Sequence, residues 1–138
     1  MKHDFLIKLD DYKEYAPIVL RFVMGLVFVV AGYAKLTGIQ GVIGFFSGLG
    51  IPLAGFFAWF VALVEFFGGI ALLIGIATRY ASALLGIIMF VAMLTTKFPE
   101  GTFDFKGARV DLMLLAASIT LMFIGGGKLS LDKKFCEK

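Results

Sequence analysis

The stretch that decides the fold is LAGFFAWFVALVEFFGGIALLIGIA, residues 53–77, in which every residue except Glu65 is apolar or small. A helix needs about 20 apolar residues, at a rise of about 1.5 Å each, to cross the core of a bilayer. This stretch therefore predicts a transmembrane helix. Glu65 lies near its centre, where an ionised group is costly unless it is paired or neutralised. A carboxylate at that depth predicts either a charged partner or a chemical task.

The composition places the whole chain in the membrane. Hydrophobic residues make up 60% of the chain and charged residues only 17%, whereas soluble domains average about a quarter charged. The net charge is +3, and the lysines cluster towards the two ends of the chain. This pattern indicates membrane topology and does not favour binding to nucleic acid.

The residue inventory also limits which cofactors the chain can hold by itself. It has one cysteine, Cys136, and one histidine, His3, both near the ends of the sequence. These exclude an internal disulfide, an internal bis-histidine haem pair and a cysteine-rich metal cluster. No glycine-rich dinucleotide fingerprint and no P-loop is present. We therefore expect no intrinsic haem, metal or flavin site.

The apolar runs predict an all-α integral membrane bundle of four helices, forming one domain over residues 17–127 between two polar tails, 1–16 and 128–138. The predicted spans are about 17–36, 53–77, 80–96 and 109–125. Residues 37–52 are glycine-rich and too short to span, which predicts an interfacial or re-entrant segment. Lysine and arginine are more frequent on the side of the two tails, so we expect a multi-pass protein of the cytoplasmic membrane with both termini in the cytoplasm.

Four charged residues within or at the ends of the spans are the candidate ligand-binding or proton-relay residues: Arg21, Lys35, Glu65 and Asp111. Counting back from the outer helix ends puts Arg21 about 21 Å below Lys35 and Glu65 about 20 Å below Pro52. We therefore predict that Arg21 pairs with Glu65, and that Lys35 and Asp111 form a second, shallower pair.

Structural roles remain open for the same residues. A pair between Arg21 and Glu65 can simply lock two helices together, or Glu65 can be protonated and bonded to a carbonyl. Lys35 can extend to the interface as an ordinary flanking lysine. Asp111 can stabilise the first turn of its helix through the helix dipole.

Several short motifs follow one another in a fixed order: Arg21 with Gly25, Gly32-Tyr33-Ala34-Lys35-Leu36, Gly50-Ile51-Pro52, Glu65 with Gly68-Gly69, Leu72-Leu73-Ile74-Gly75, Thr78-Arg79, and residues 126–132. In this order and spacing the chain resembles the DoxX/DoxD-like proteins, small four-span membrane proteins of bacteria and archaea, over about residues 18–132. Asp111 departs from the pattern, because relatives more often carry glutamate there.

The resemblance implies a membrane redox context. Members of the family are associated with quinol oxidation, and others with oxidative stress and with complexes that include soluble redox enzymes. Quinone is then the candidate cofactor, with Glu65 relaying a proton beside Arg21 and with Phe28, Phe66 and Phe67 as candidate walls. The expected partners are the lipid bilayer, a soluble or membrane redox protein, and further copies of the chain. The alternative is a non-enzymatic scaffold or small-ligand carrier whose buried charges are structural.

Overall fold

The computed structural model describes residues 2–96, 105–127 and 130–131. This part of the chain contains a 3-10 turn, Lys13–Tyr15, and the α-helices α1 (Lys2–Asp10), α2 (Ala16–Thr37), α3 (Ile39–Gly48), α4 (Ala54–Ile74), α5 (Thr78–Thr96) and α6 (Phe105–Ile124). Cys136, residues 97–104 between the third and fourth predicted spans, and most of the predicted tail 128–138 lie outside the described residues.

Within the described ranges, four helical stretches are long and apolar enough to cross a membrane: Lys13–Thr37, Ala54–Ile74, Thr78–Thr96 and Phe105–Ile124. The predicted all-α fold with four membrane helices is therefore confirmed. The short segment between the first two spans is also confirmed, as helix α3.

Helix α4 ends at Ile74, one turn before the end of the apolar run that predicted it. Gly75 has a φ of +84°, a left-handed conformation that glycine adopts without penalty. Its N–H and that of Ile76 both donate to the carbonyl of Ala71, at 2.7 and 3.0 Å. This bonding closes the helix and turns the chain into α5 through Ile76 and Ala77.

Helices α2 and α4 form a tight antiparallel pair because glycines face the partner backbone. A Cβ atom added to Gly32 would lie 2.7 Å from the Cα of Phe66, and one added to Gly69 would lie 2.8 Å from the carbonyl oxygen of Gly25. Small residues let membrane helices approach this closely. These contacts fix how the two helices are offset along their length.

A second antiparallel pair, α5 and α6, packs beside the first pair. The inward face of α5 includes Ser82, Gly86, Met89 and Met93, all of which are buried. Gly86 lies against Ser118 of α6, and Gly68 of α4 lies against Leu85 of α5. The core between the pairs is made of large side chains that are at most 2% exposed: Met24, Phe28, Leu72, Leu85 and Leu121.

The bundle has two distinct ends. We call the first the Arg21 end; it contains the start of α2, the turn at residues 75–77 and the glycines at 125–127. We call the other the α3 end; it contains the end of α2, helix α3 and the start of α4. Helix α3 packs on α4 and makes few contacts with α2.

Candidate functional site

Glu65 belongs to the buried stripe of α4. The buried residues of this helix, Ala54, Ala58, Ala62, Glu65, Gly69 and Leu72, recur every three or four positions and so share one face. Apart from Leu72 near the end of the helix, the face is lined by small residues except at Glu65, whose side chain is only 2% exposed. The helix therefore directs its single carboxylate into the bundle.

Lys35 is the partner of Glu65. Its Nζ lies 2.6 Å from Oε2 of the carboxylate and donates a hydrogen bond to it, so the contact is both an ion pair and a hydrogen bond. Such charge-assisted bonds are about twice as strong as neutral ones. The Lys35 side chain is 30% exposed, in contrast to the fully enclosed carboxylate. The pair thus has one buried member and one member that reaches the surface of the bundle.

The predicted pairing of Arg21 with Glu65 is wrong, and so is the assignment of Lys35 to a separate outer layer. The glycine contacts place Gly32 opposite Phe66 and Gly25 opposite Leu73. With that offset, Lys35 lies at the level of Leu63, close to Glu65. Arg21 lies about 21 Å further along the bundle, at the level of Ala77. The prediction failed because it aligned the start of α4 with the end of α2, whereas α4 begins beyond α2, next to α3.

Arg21 binds main chain at its own end of the bundle. Its Nη1 donates to the carbonyl oxygen of Gly126 at 2.6 Å, and the side chain is only 5% exposed. The same nitrogen lies 2.6 Å from where a Cβ on Gly75 would be, so glycine leaves the space for it. Cations are favoured at helix C-termini, where carbonyls lack partners. Arg21 therefore ties α2 to the ends of α4 and α6.

Asp111 is the third charged residue at the Lys35–Glu65 pair. It lies in the second turn of α6, is half-buried, and is close enough to Glu65 for the two carboxylates to interact electrostatically. Three of the four predicted candidate residues, Lys35, Glu65 and Asp111, are therefore brought together. We call these three the charged site.

The three predicted aromatic residues do not form one wall around this site. Phe28 is 1% exposed and belongs to the apolar core. Phe66 contacts Phe67 edge to face, with ring centroids 5.3 Å apart. Phe67 is 60% exposed and so faces the surroundings of the bundle. Phe66 follows Glu65 directly in α4, and its backbone packs against Gly32 of α2.

The residue that sequence reasoning missed is Gly126, whose carbonyl receives Arg21. A main-chain acceptor has no side-chain signature. The run Gly125-Gly126-Gly127 is nevertheless a usable signal, because glycines are typical of helix ends, and helix ends present unpaired carbonyls. Both Gly125 and Gly127 have positive φ, at 76° and 80°.

The charged site combines a hydrogen-bond donor, a buried proton acceptor and apolar surroundings. Lys35 offers an ammonium that donates, and Glu65 offers a carboxylate that accepts. The residues that the structure describes contain no group of three or more histidine, cysteine, aspartate or glutamate side chains placed to hold a metal ion. The chemistry that this arrangement supports is proton exchange and hydrogen bonding to a polar group.

Comparison with known proteins gives a consistent set of relatives. A family model described as DoxX matches residues 16–97. "Putative oxidoreductase CatD" of Bacillus subtilis is 35% identical over 120 residues, which cover 86% of each chain. "Uncharacterized membrane protein Rv3486" of Mycobacterium tuberculosis is 35% identical over 133 residues, covering 88% of this chain and 82% of the relative. "Inner membrane protein YqjF" of Escherichia coli is 31% identical over 133 residues, covering 95% and 98%. No solved structure matches the chain.

Proposed function

The chain belongs to the DoxX family of membrane proteins, and we propose that it serves as the membrane subunit of a quinone-linked oxidoreductase system. In this proposal the charged site receives the polar headgroup of a quinone, and the exposed surfaces anchor a soluble or membrane redox partner. One relative carries the word oxidoreductase in its name, which supports a redox context. The inner-membrane names of two relatives support a place in the cytoplasmic membrane, and the lysine and arginine pattern supports cytoplasmic termini.

The observation that carries the proposal is the geometry of the Lys35–Glu65 pair. The carboxylate is 2% exposed and the ammonium 30% exposed, with 2.6 Å between them. Ionisable residues at this depth in a membrane bundle commonly mark substrate or proton pathways. A headgroup entering from the surface would meet Lys35 first and then Glu65, in an apolar environment.

In this proposal Lys35 binds the headgroup and Glu65 transfers the proton. A quinone, when bound, supplies a two-electron, two-proton redox couple. Lys35 would donate a hydrogen bond to an oxygen of the headgroup and hold it in place. Glu65 would accept a proton from a bound hydroxyl, and its bond to Lys35 holds the carboxylate ready for that role. The electrons would pass to a cofactor of the redox partner, since the sequence offers no ligand set of its own.

The alternative is a structural role for the Lys35–Glu65 pair, because the pair joins the two helices that pack most closely. Gly32 touches the backbone of Phe66, one residue beyond Glu65. An ion pair next to such a contact also fixes the register of α2 against α4. If registration is its only purpose, the protein is a non-enzymatic scaffold or carrier.

The test is whether quinone accompanies the purified protein. The chain would be extracted from its native membrane in a lipid-preserving polymer, and quinone would be measured by mass spectrometry relative to protein. We expect nearly one quinone per chain, and a loss of at least tenfold in Lys35→Met. The matched control is Lys13→Met, because Lys13 is also a lysine but is exposed on the 3-10 turn at the Arg21 end. The scaffold function would be favoured if the parent protein carried only background amounts of quinone, or if Lys35→Met and Lys13→Met retained equal amounts of it.

A further inference from the structure

We propose that the charged site is connected to water only at the α3 end of the bundle, so that Glu65 exchanges protons with one face of the membrane. The proposal depends on the packing around the site and holds whether or not the ligand is a quinone. In this proposal Lys35 and Asp111 form the aqueous entrance to the site. The apolar core of the bundle forms the barrier on the other side.

The barrier lies between Glu65 and the Arg21 end. The side chains that fill this half of the bundle, Met24, Phe28, Leu72, Leu85 and Leu121, are between 0% and 2% exposed. The sequence has no charged residue between Glu65 and Thr78 in the α4 segment, and none between Arg21 and Lys35 in α2. From the level of Glu65 to the Gly75 turn, this layer is about 15 Å thick.

Two serine hydroxyls lie within the barrier. Ser82 and Ser118 are both fully buried. The Ser118 hydroxyl donates to the carbonyl of Leu114 in its own helix, at 2.8 Å. Below them, Arg21 is bonded to the Gly126 carbonyl, which closes the bundle at that end. A proton leaving Glu65 in this direction would cross a tightly packed apolar layer.

The entrance at the α3 end results from the early end of α2. This helix stops at Thr37, two positions after Lys35, while α4 continues for about 13 Å beyond the level of Lys35. Among the residues that the structure describes, the charged groups that face Glu65 are Lys35 from α2 and Asp111 from α6. Helix α5 contributes the apolar Met89 and Met93, and helix α3 has no charged residue. The polar route from Glu65 therefore leads through Lys35, whose side chain is 30% exposed, and past the half-buried Asp111.

The consequence is directional proton transfer. Any reaction in which Glu65 takes a proton from a bound ligand ends with that proton released at the α3 face. Transfer of the next proton requires Glu65 to lose the first one through the same entrance. With the termini in the cytoplasm, the α3 face is the outer face of the membrane.

The test uses a charged, membrane-impermeant methanethiosulfonate reagent on sealed vesicles of both orientations. Cys136→Ser provides a background free of natural cysteine, since the chain has a single one. In that background, Lys35→Cys reports on the entrance, and Tyr12→Cys, at an exposed residue of the Arg21 end, reports on the opposite face. Met24→Cys tests the barrier, because Met24 is 2% exposed.

In one of the two vesicle orientations, Tyr12→Cys is protected from the reagent. We expect Lys35→Cys to react at least tenfold faster in that orientation than in the other. Met24→Cys should stay unlabelled in both orientations. Labelling of Lys35→Cys from the Tyr12 face, from both faces or from neither would overturn the proposal. Neither result depends on the presence of quinone, so this test and the copurification test can fail separately.

A second measurement keeps the natural residues at the charged site, in case Lys35→Cys does not fold. An impermeant carbodiimide activates the Glu65 carboxyl, and the Lys35 amine then displaces the activated group. This forms an amide between α2 and α4 and releases the corresponding urea. The 2.6 Å separation favours this cross-link, which mass spectrometry of peptides detects. We expect it only when the reagent is on the α3 face, and its formation from the other face would contradict the proposal.

Discussion

Removing the charge of Lys35 should destabilise the protein more than removing the charge of Glu65. Lys35→Met leaves a carboxylate that is 2% exposed without its partner, and losing one member of a buried ion pair costs about 3–5 kcal/mol. Glu65→Gln leaves an ammonium that is 30% exposed and that can turn towards water through the proposed entrance at the α3 end. That variant should lose about 1 kcal/mol, the scale of one hydrogen bond. The asymmetry follows directly from the unequal burial of the two partners.

The double variant, Lys35→Met with Glu65→Gln, should be more stable than Lys35→Met alone. It removes both charges, and such replacements are often close to neutral, so we expect it within about 2 kcal/mol of the parent. The coupling free energy between the two positions should then be about 2 kcal/mol or more. The free energy of unfolding is measured for the parent, the two single variants and the double variant. Each is unfolded with sodium dodecyl sulfate, and unfolding is followed by the fluorescence of the single tryptophan, Trp59.

The matched control is a double-mutant cycle that combines Arg21→Gln with Glu65→Gln. The offset of α2 against α4 separates these side chains by most of the barrier, so their effects should add within about 0.5 kcal/mol. The reasoning is refuted if Arg21 couples to Glu65 as strongly as Lys35 does. It is also refuted if Lys35→Met costs no more than Glu65→Gln.

Two further variants test the packing that positions the site. Gly32→Ala should lower the free energy of unfolding by about 1–3 kcal/mol, because its Cβ would lie 2.7 Å from the Cα atom of Phe66. Gly44→Ala in α3 is its control and should be neutral or stabilising, since a Cβ there meets nothing within 4 Å. If Gly32→Ala and Gly44→Ala lost equal free energy of unfolding in the same detergent assay, the result would argue against close packing at Gly32. Arg21→Gln should cost about 1.5–3 kcal/mol through its lost bond to Gly126, and the loss should persist in the Glu65→Gln background.

The fold could be predicted from the sequence because membrane helices are specified locally. An apolar run of sufficient length must form a helix in lipid, where every backbone group needs an internal partner. The glycines and charges of α2 also recur at intervals of three, four or seven positions, a spacing that places them on one face of the helix. Gly25, Gly32 and Arg21 are all buried, and Lys35 lies at the end of the same face.

The pairing of charges could not be predicted because it depends on how two helices are offset. Sequence spacing gives the distance between Arg21 and Lys35 along one helix. It does not give the level at which Glu65 of another helix stands beside them. That level is set by the contact of Gly32 with the Phe66 backbone and by the start of α4 beyond the end of α2. Both are properties of tertiary packing.

The same offset explains why the carboxylate in the middle of α4 can be tolerated. If α2 and α4 began and ended at the same levels, Glu65 would face the middle of α2, where every side chain between Arg21 and Lys35 is uncharged. The offset instead brings the charged end of α2 to the centre of α4, and α3 packs on the part of α4 that extends further. One stagger therefore produces the ion pair, the apolar layer on its Arg21 side and the proposed polar route on its α3 side. A variant that shifts α2 along α4, such as Gly32→Ala, should consequently disturb the proposed quinone binding as well as stability.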